Sequence, residues 1–283
     1  MGKTYVFLKN RALTILPEHI LRPLRMWHYG RVLRSFTDAD EPDLKVVREL
    51  VQRGTTAVDL GANIGIYTKV LSELVGPDGN VISVEPIPQT FDVLSRNVRS
   101  FAMTNVSCVN AAIANDGSDV VMELPDYDAG GTNFYQARVV PAQDRTPVHS
   151  KRRLQVKGTT LDALVAGAAM VSFIKCDIEG QELTCLSGAE MVFNSHDPAS
   201  LAEVWGDPDE PGTAAKQVFR IFEDRSYLPW WFDERRLIQR QPGDRSTNYF
   251  FLKPMHLARL RKNAPQLFEG TRTTGKTQHQ LGT

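Results

Sequence analysis

The stretch Val58-Asp59-Leu60-Gly61-Ala62-Asn63-Ile64-Gly65 decides the fold. An apolar run ends in an acid, a glycine-rich turn follows, and a helical pattern opens at Ile66. Gly61 permits a tight turn and close backbone approach, and Gly65 lets the helix start against the strand. Such a turn is generic to nucleotide-binding α/β folds, and its detail separates two ligands. A dinucleotide fingerprint wants G-x-G-x-x-G, whose amides meet a pyrophosphate. Here Asn63 replaces the middle glycine and Asp59 precedes the turn. An acid there attracts an ammonium, directly or through water. The turn therefore suits S-adenosylmethionine (SAM), which has an amino-acid end and no phosphate.

Working outward, Val81–Glu85 reads as a second strand ending in a carboxylate. Glu85 at that tip can accept from both ribose hydroxyls, a role that serves NAD and SAM equally. The third strand, Val106–Asn110, runs into Ala111-Ala112, small residues where an adenine edge would lie. A fourth strand, Val171–Cys176, opens into Asp177-Ile178-Glu179-Gly180-Gln181-Glu182. Asp177 and Glu179 cluster at its carboxyl end, where open α/β sheets bind ligands. Glu182 falls in the first turn of the next helix, where an acid suits the helix dipole. A fifth strand, Leu201–Trp205, brings Glu203 towards the same end.

These strands alternate with helical patterns at Ile66–Val75, Pro88–Ser100, Thr160–Val165 and Glu182–Gly188, the signature of a parallel sheet with crossover helices. Asp43–Gln52 reads as a helix leading into the core, and Tyr227–Phe232 and Thr247–Leu252 as closing antiparallel strands. The expected organisation is a helical extension over 1–42, with its amphipathic part at 12–34, and a main domain over 43–253. Residues 111–158 form an inserted, partly β, substrate-side lobe with a strand at Leu154–Lys157. Residues 254–283 read as a basic polar tail, disordered past about Pro265.

Hydrophobic residues make up 42% and charged residues 23% of the 283, an ordinary globular composition. Lys9 and Arg11 interrupt the apolar start, and no apolar run is long enough for a membrane span. Cys108, Cys176 and Cys185 are too few and too irregular for a zinc site or disulfide framework, and a cytoplasmic protein with reduced thiols is expected. The formal charge is zero but uneven: net +6 over residues 1–34, −11 over 35–252 and +5 over 253–283. An acidic body argues against a nucleic-acid partner. The basic ends read as solvated tails, with peripheral contact to an anionic surface as the alternative.

Four segments in series, Asp59-Leu-Gly61-Ala-Asn63-Ile-Gly65-Ile-Tyr67-Thr68, Val84-Glu85-Pro86, Thr159-Thr160-Leu161-Asp162 and Ile174-Lys175-Cys176-Asp177-Ile178-Glu179-Gly180-Gln181-Glu182-Leu183, resemble the FkbM-type methyltransferases. The resemblance covers about residues 45–205 in the right order and spacing, with Cys176 where an aliphatic residue is usual. It implies a class I methyltransferase fold, a Rossmann-like, mostly parallel sheet with an antiparallel last strand and helices on both faces. It also implies SAM as cofactor, held by Asp59, Gly61, Asn63, Gly65, Tyr67, Thr68, Glu85, Asn110, Ala111 and Asp177. The implied reaction is O-methylation of a small-molecule hydroxyl, on a sugar or natural-product moiety.

SAM's sulfonium already makes its methyl electrophilic, so the protein must align an acceptor oxygen and take up its proton. Asp177 or Glu179 is the expected orienting or basic group, with Glu203 next and His149 of the insert as a further base. A carboxylate is a weak base for an alcohol unless desolvation raises its pKa. No ligand spacing marks a metal site. Trp205, Trp230, Trp231 and Phe232 are either core or an apolar, sugar-stacking acceptor pocket. Two rivals remain: an NAD(P)-dependent oxidoreductase, disfavoured by Asn63 and the lack of a Tyr-x-x-x-Lys pair, and a non-catalytic SAM-binding scaffold, disfavoured by the intact carboxylates.

Overall fold

A computed structural model describes residues 18–125, 138–140 and 151–269. His149 and the residues before 18 and after 269 lie outside the described residues. In chain order the elements begin with α1 (Glu18–Ser35), α2 (Leu44–Leu50), β1 (Thr56–Leu60), α3 (Ile66–Val75), β2 (Asn80–Val84), α4 (Pro88–Ser100) and β3 (Val106–Val109). The next segment holds β4 (Ala112–Ile113), β5 (Val120–Pro125), β6 (Arg138–Val140), β7 (Lys151–Val156) and β8 (Gly158–Thr159). Then follow α5 (Leu161–Val165), β9 (Val171–Cys176), α6 (Glu182–Ser187), α7 (Glu190–His196) and β10 (Ala199–Glu203). The chain closes with α8 (Ala214–Asp224), β11 (Leu228–Phe232), β12 (Leu237–Gln239), β13 (Asn248–Leu252), α9 (Pro254–Asn263) and a 3₁₀ turn at Pro265–Phe268.

The main sheet has the order β12-β11-β13-β10-β9-β1-β2-β3. β10, β9, β1, β2 and β3 pair in parallel, and β13 runs antiparallel between β10 and β11. This is the expected Rossmann-like class I arrangement, extended by the short edge strand β12. The chain leaves β3 on one flank and resumes the sheet at β9 beside β1, so the order reverses between β1 and β9. That reversal opens the crevice in which such sheets take ligands.

Alternation along the strands sorts the core into two layers. Val58, Ile174, Ala202 and Phe251 face α8, where Phe219 and Phe222 pack. Ala57, Phe173, Leu201 and Phe250 face the opposite layer, with residues of α2, α3 and α9. All five residues of β1 and all six of β9 are buried, as central strands covered on both faces require.

Two regions differ from the sequence reading. The first part of the expected basic tail forms α9, because Leu257 and Leu260 share a helix face that closes the second core layer. Leu267 is buried in the 3₁₀ turn beyond it, so order extends past Pro265. Basic composition conceals these three apolar anchors. β10 also lies two residues earlier than expected, which makes Glu203 its last residue and leaves Trp205 exposed beyond it.

Gly61 carries the tightest backbone requirement. Its φ is +73°, and a Cβ there would lie 1.8 Å from the Asp177 carbonyl oxygen. Gly61→Ala is therefore expected to lower stability by at least about 2 kcal/mol in urea unfolding, from left-handed strain plus the displaced β9 tip. An unchanged midpoint would show that the β1 and β9 tips do not abut.

Candidate active site

The β1, β2 and β9 tips are tied by backbone bonds. Gly61 and Ala62 donate to the Val84 carbonyl at 3.0 and 2.9 Å, and Asp177 donates to the Leu60 carbonyl at 3.2 Å. Beside these tips a cleft is lined by Gly61, Asn63, Glu85, Ala111, Asp177 and Glu179, among others. Met122 of β5 and Val139 of β6 line it too. The small sheet β6-β5-β7 thus meets the cleft, where Met122 packs with Ile87 and Ala112.

Glu85 is held from its own backbone side. Its two carboxylate oxygens accept the amides of Asn63 at 3.0 Å and Ile87 at 2.9 Å. A carboxylate has about four acceptor positions, so two remain for a ligand's hydroxyls. Burial pushes its pKa up to about 7 against those two amides. The Asn110 side-chain amide donates to the carbonyls of Glu85 and Pro86 at 2.8 and 3.0 Å. Asn110 thereby fixes the loop that presents the carboxylate. Asn63 adopts φ +51°, a conformation that asparagine tolerates better than most side chains.

At the other end, strand register aligns a row of polar side chains. Asp59 pairs with Lys175, and the β9–β10 register, continued by one residue, sets Asp177 beside Glu203. Glu203 in turn pairs with Asn248, whose amide donates to Asp43 at 2.7 Å. Lys175 Nζ lies 2.9 Å from Asp177 Oδ2 and 3.9 Å from Asp59 Oδ1, and 4.9 Å over the Tyr67 ring. Burial alone would depress the lysine's pKa, but Asp177 and Asp59 outweigh it and hold the ammonium charged.

Asp177 and Glu203 share a side-chain hydrogen bond and titrate apart. Burial would raise Asp177, yet the Lys175 charge and the bonds from Glu203 and Lys175 hold it below its ordinary value. Burial and then Asp177 push Glu203 up to about 8, so Glu203 carries the shared proton near neutrality. Glu179, at φ +53°, is raised to about 7 by desolvation and then by Asp177.

Not every sequence-derived candidate reaches the cleft. Asp59 is fully buried beneath the turn, accepting from the Thr68 hydroxyl at 2.6 Å. Its second oxygen has no hydrogen-bond donor, only the Lys175 charge. Thr68 and Tyr67 support this arrangement from α3, which Gly65 precedes as its N-cap, whereas Gly61, Asn63, Glu85, Ala111, Asp177 and Glu179 face the open space. Asp162 serves the scaffold: both of its oxygens accept amides at the start of α7, Met191 at 2.9 Å and Val192 at 2.8 Å. Glu182 braces the Asp177–Glu182 turn by accepting from Ile178 and Gly180. Trp230 and Phe232 are core, and Trp205 is 47% exposed two residues beyond Glu203. Lys175 has no role in the sequence reading, although a lysine inside a buried strand is a signal for one. Glu41, which hydrogen-bonds Tyr67 and whose pKa burial raises, has no sequence signal.

A family model described as the methyltransferase FkbM domain matches residues 59–229. The protein-L-isoaspartate O-methyltransferase of Methanothrix thermoacetophila is 34% identical over 107 residues, 38% of this chain and 47% of that protein. The methyltransferase sdnD of Sordaria araneosa is 24% identical over 198 residues, 60% of this chain and 72% of that protein. The chain spans about half the length of the isoaspartate methyltransferases of Methanothrix thermoacetophila and Ignicoccus hospitalis, 47% and 46% respectively. Among solved structures, methyltransferase FkbM from Methylobacillus flagellatus KT has a TM-score of 0.45 at 18% identity, over 70% of this chain and 43% of that one. The domain is of the SAM-dependent methyltransferase class, and the chain belongs to the FkbM methyltransferase family.

Proposed function

We propose that this protein transfers the methyl group of SAM to a hydroxyl oxygen of a small molecule, with a sugar-like acceptor as the best fit. The observation that carries the reading is the placement of Glu85 and Asp177 on one cleft, with Glu203 behind Asp177. Glu85 offers two free acceptor positions to the ribose hydroxyls, and Ala111 leaves room for the adenine. The Asp177 end then receives the methionine portion and the sulfonium. Asp59, Asp177 and Glu179 surround Lys175, which is itself paired, while Glu203 holds a proton near neutrality. That negative excess favours an ammonium and a sulfonium and repels a pyrophosphate. It also speaks against a nicotinamide dinucleotide.

The same charge separates two kinds of acceptor. A carboxylate acceptor is already nucleophilic, needs no base and is repelled by Asp177 and Glu179. An alcohol needs a proton acceptor at the oxygen as the C–O bond forms. Asp177, fixed by Lys175, orients the hydroxyl and passes its proton to the ionised Glu203 through the hydrogen bond the two share. The methyl carbon leaves sulfur as the oxygen attacks, the S–C electrons return to sulfur, and S-adenosylhomocysteine departs. Trp205 offers an aromatic face to the apolar side of a sugar ring.

Incubation with methyl-labelled SAM and a panel of glycosides and hydroxylated metabolites is expected to yield label that survives mild alkali, as an ether does. Label released as methanol would identify an ester and sink the hydroxyl assignment. Glu85→Ala is expected to weaken SAM at least about tenfold by calorimetry, through two lost ribose hydrogen bonds; unchanged affinity would move the ribose elsewhere. Because Glu203 acts ionised, kcat/KM is expected to rise with pH to a plateau above about 8. Glu203→Gln is expected to lose roughly 10²-fold or more in kcat and the pH step with it, while keeping SAM affinity. A retained step in that variant would assign the proton to another group.

A further inference from the structure

We infer that the outward face of α1 is a seat for an anionic lipid bilayer. Ile20, Leu24 and Trp27 are 41%, 52% and 61% exposed, on a helix where spacings of four and three residues make one stripe. Arg31 continues that stripe, its guanidinium 5.0 Å over the Trp27 ring. The inner face is already occupied. Leu33 is fully buried with Leu94 and Val98 of α4, Arg22 pairs with Asp92 at 2.8 Å, and Arg96 reaches Met26. The helix is therefore held to the domain by one side while three large apolar side chains face away from it.

Charge selects the occupant. Residues 19–36 contain four arginines and no acid, and the net +6 of residues 1–34 abuts a body of net −11. An apolar stripe one side chain wide, with tryptophan among arginines, matches the boundary between headgroups and acyl chains. The acidic body is repelled by the same surface, which turns α1 towards it. A second copy of the chain would oppose two such cationic segments and is disfavoured. None of these residues touches the cleft, so the inference stands apart from the proposed reaction.

The test is flotation of the full chain with phosphatidylcholine vesicles, with and without phosphatidylglycerol. The protein is expected to float with the anionic vesicles, at least about tenfold better than with phosphatidylcholine alone, and to be released by about 0.5 M salt. The triple variant Ile20→Ser, Leu24→Ser, Trp27→Ser is expected to lose at least tenfold of that binding, and Trp27→Phe to keep it. Unchanged circular dichroism and SAM affinity in both variants separate lost docking from lost fold. Failure of the wild type to float with anionic vesicles, or flotation of the triple variant at the wild-type level, would overturn the inference. So would a concentration-dependent dimer that the triple variant abolishes while the wild type ignores vesicles.

Discussion

The site depends on one buried cation. Lys175 stands in the middle of the sheet with its ammonium between Asp59 and Asp177 and over the Tyr67 ring. An isolated ammonium at this depth would cost several kcal/mol, and so would a carboxylate as enclosed as Asp59. Each makes the other tolerable. The register of β1 against β9 sets them side by side, and the left-handed turn at Gly61 lets the next residues pass over the β9 tip.

From that pairing the chemistry of the proposed site follows by electrostatics. Lys175 keeps Asp177 ionised, Asp177 forces the proton onto Glu203, and the two carboxyls come to differ in role. One lysine cannot neutralise all the surrounding acids. The remainder is what the proposed binding of a positively charged ligand rests on. At the other end Glu85 is held by amides alone, which fixes its position and leaves acceptor capacity unused. The isoaspartate methyltransferases match the chain over little more than a third of its length, and the proposal of a hydroxyl acceptor rests on the acid-rich end of the cleft.

Much of the frame was legible in the sequence because local rules fix it. α3 and α4 begin and end as read, after Gly65 and at Pro88, where glycine and proline punctuate the pattern. The parallel strands were recognisable as short apolar runs ending in Asp59, Glu85 and Asp177. α8 was legible but unread: Val218, Phe219 and Phe222 share a face, and Thr213 caps the helix by accepting from Lys216. The site divides differently. Glu85, Asn63 and Asp177 sit at strand tips that any reading of the fold exposes. The Glu41–Tyr67 bond and the Asp43–Asn248 bond join residues far apart in sequence, so no local pattern announces them. Whether Asp59 faces a ligand or supports the turn depends on side-chain depth, which strand alternation alone does not give.

Lys175 holds the buried Asp59 and the partly buried Asp177 together. The most direct measurement is chemical unfolding of Lys175→Met at pH 8 and pH 6. Without the ammonium, the fully buried Asp59, whose pKa burial already raises, is pushed further above its unfolded value and folds by binding a proton. Stability is then lost as pH rises through the folded value and regained as it falls. A loss of about 3–5 kcal/mol is expected at pH 8, much of it recovered at pH 6. A variant as stable as wild type at pH 8, or equally destabilised at both values, would contradict it.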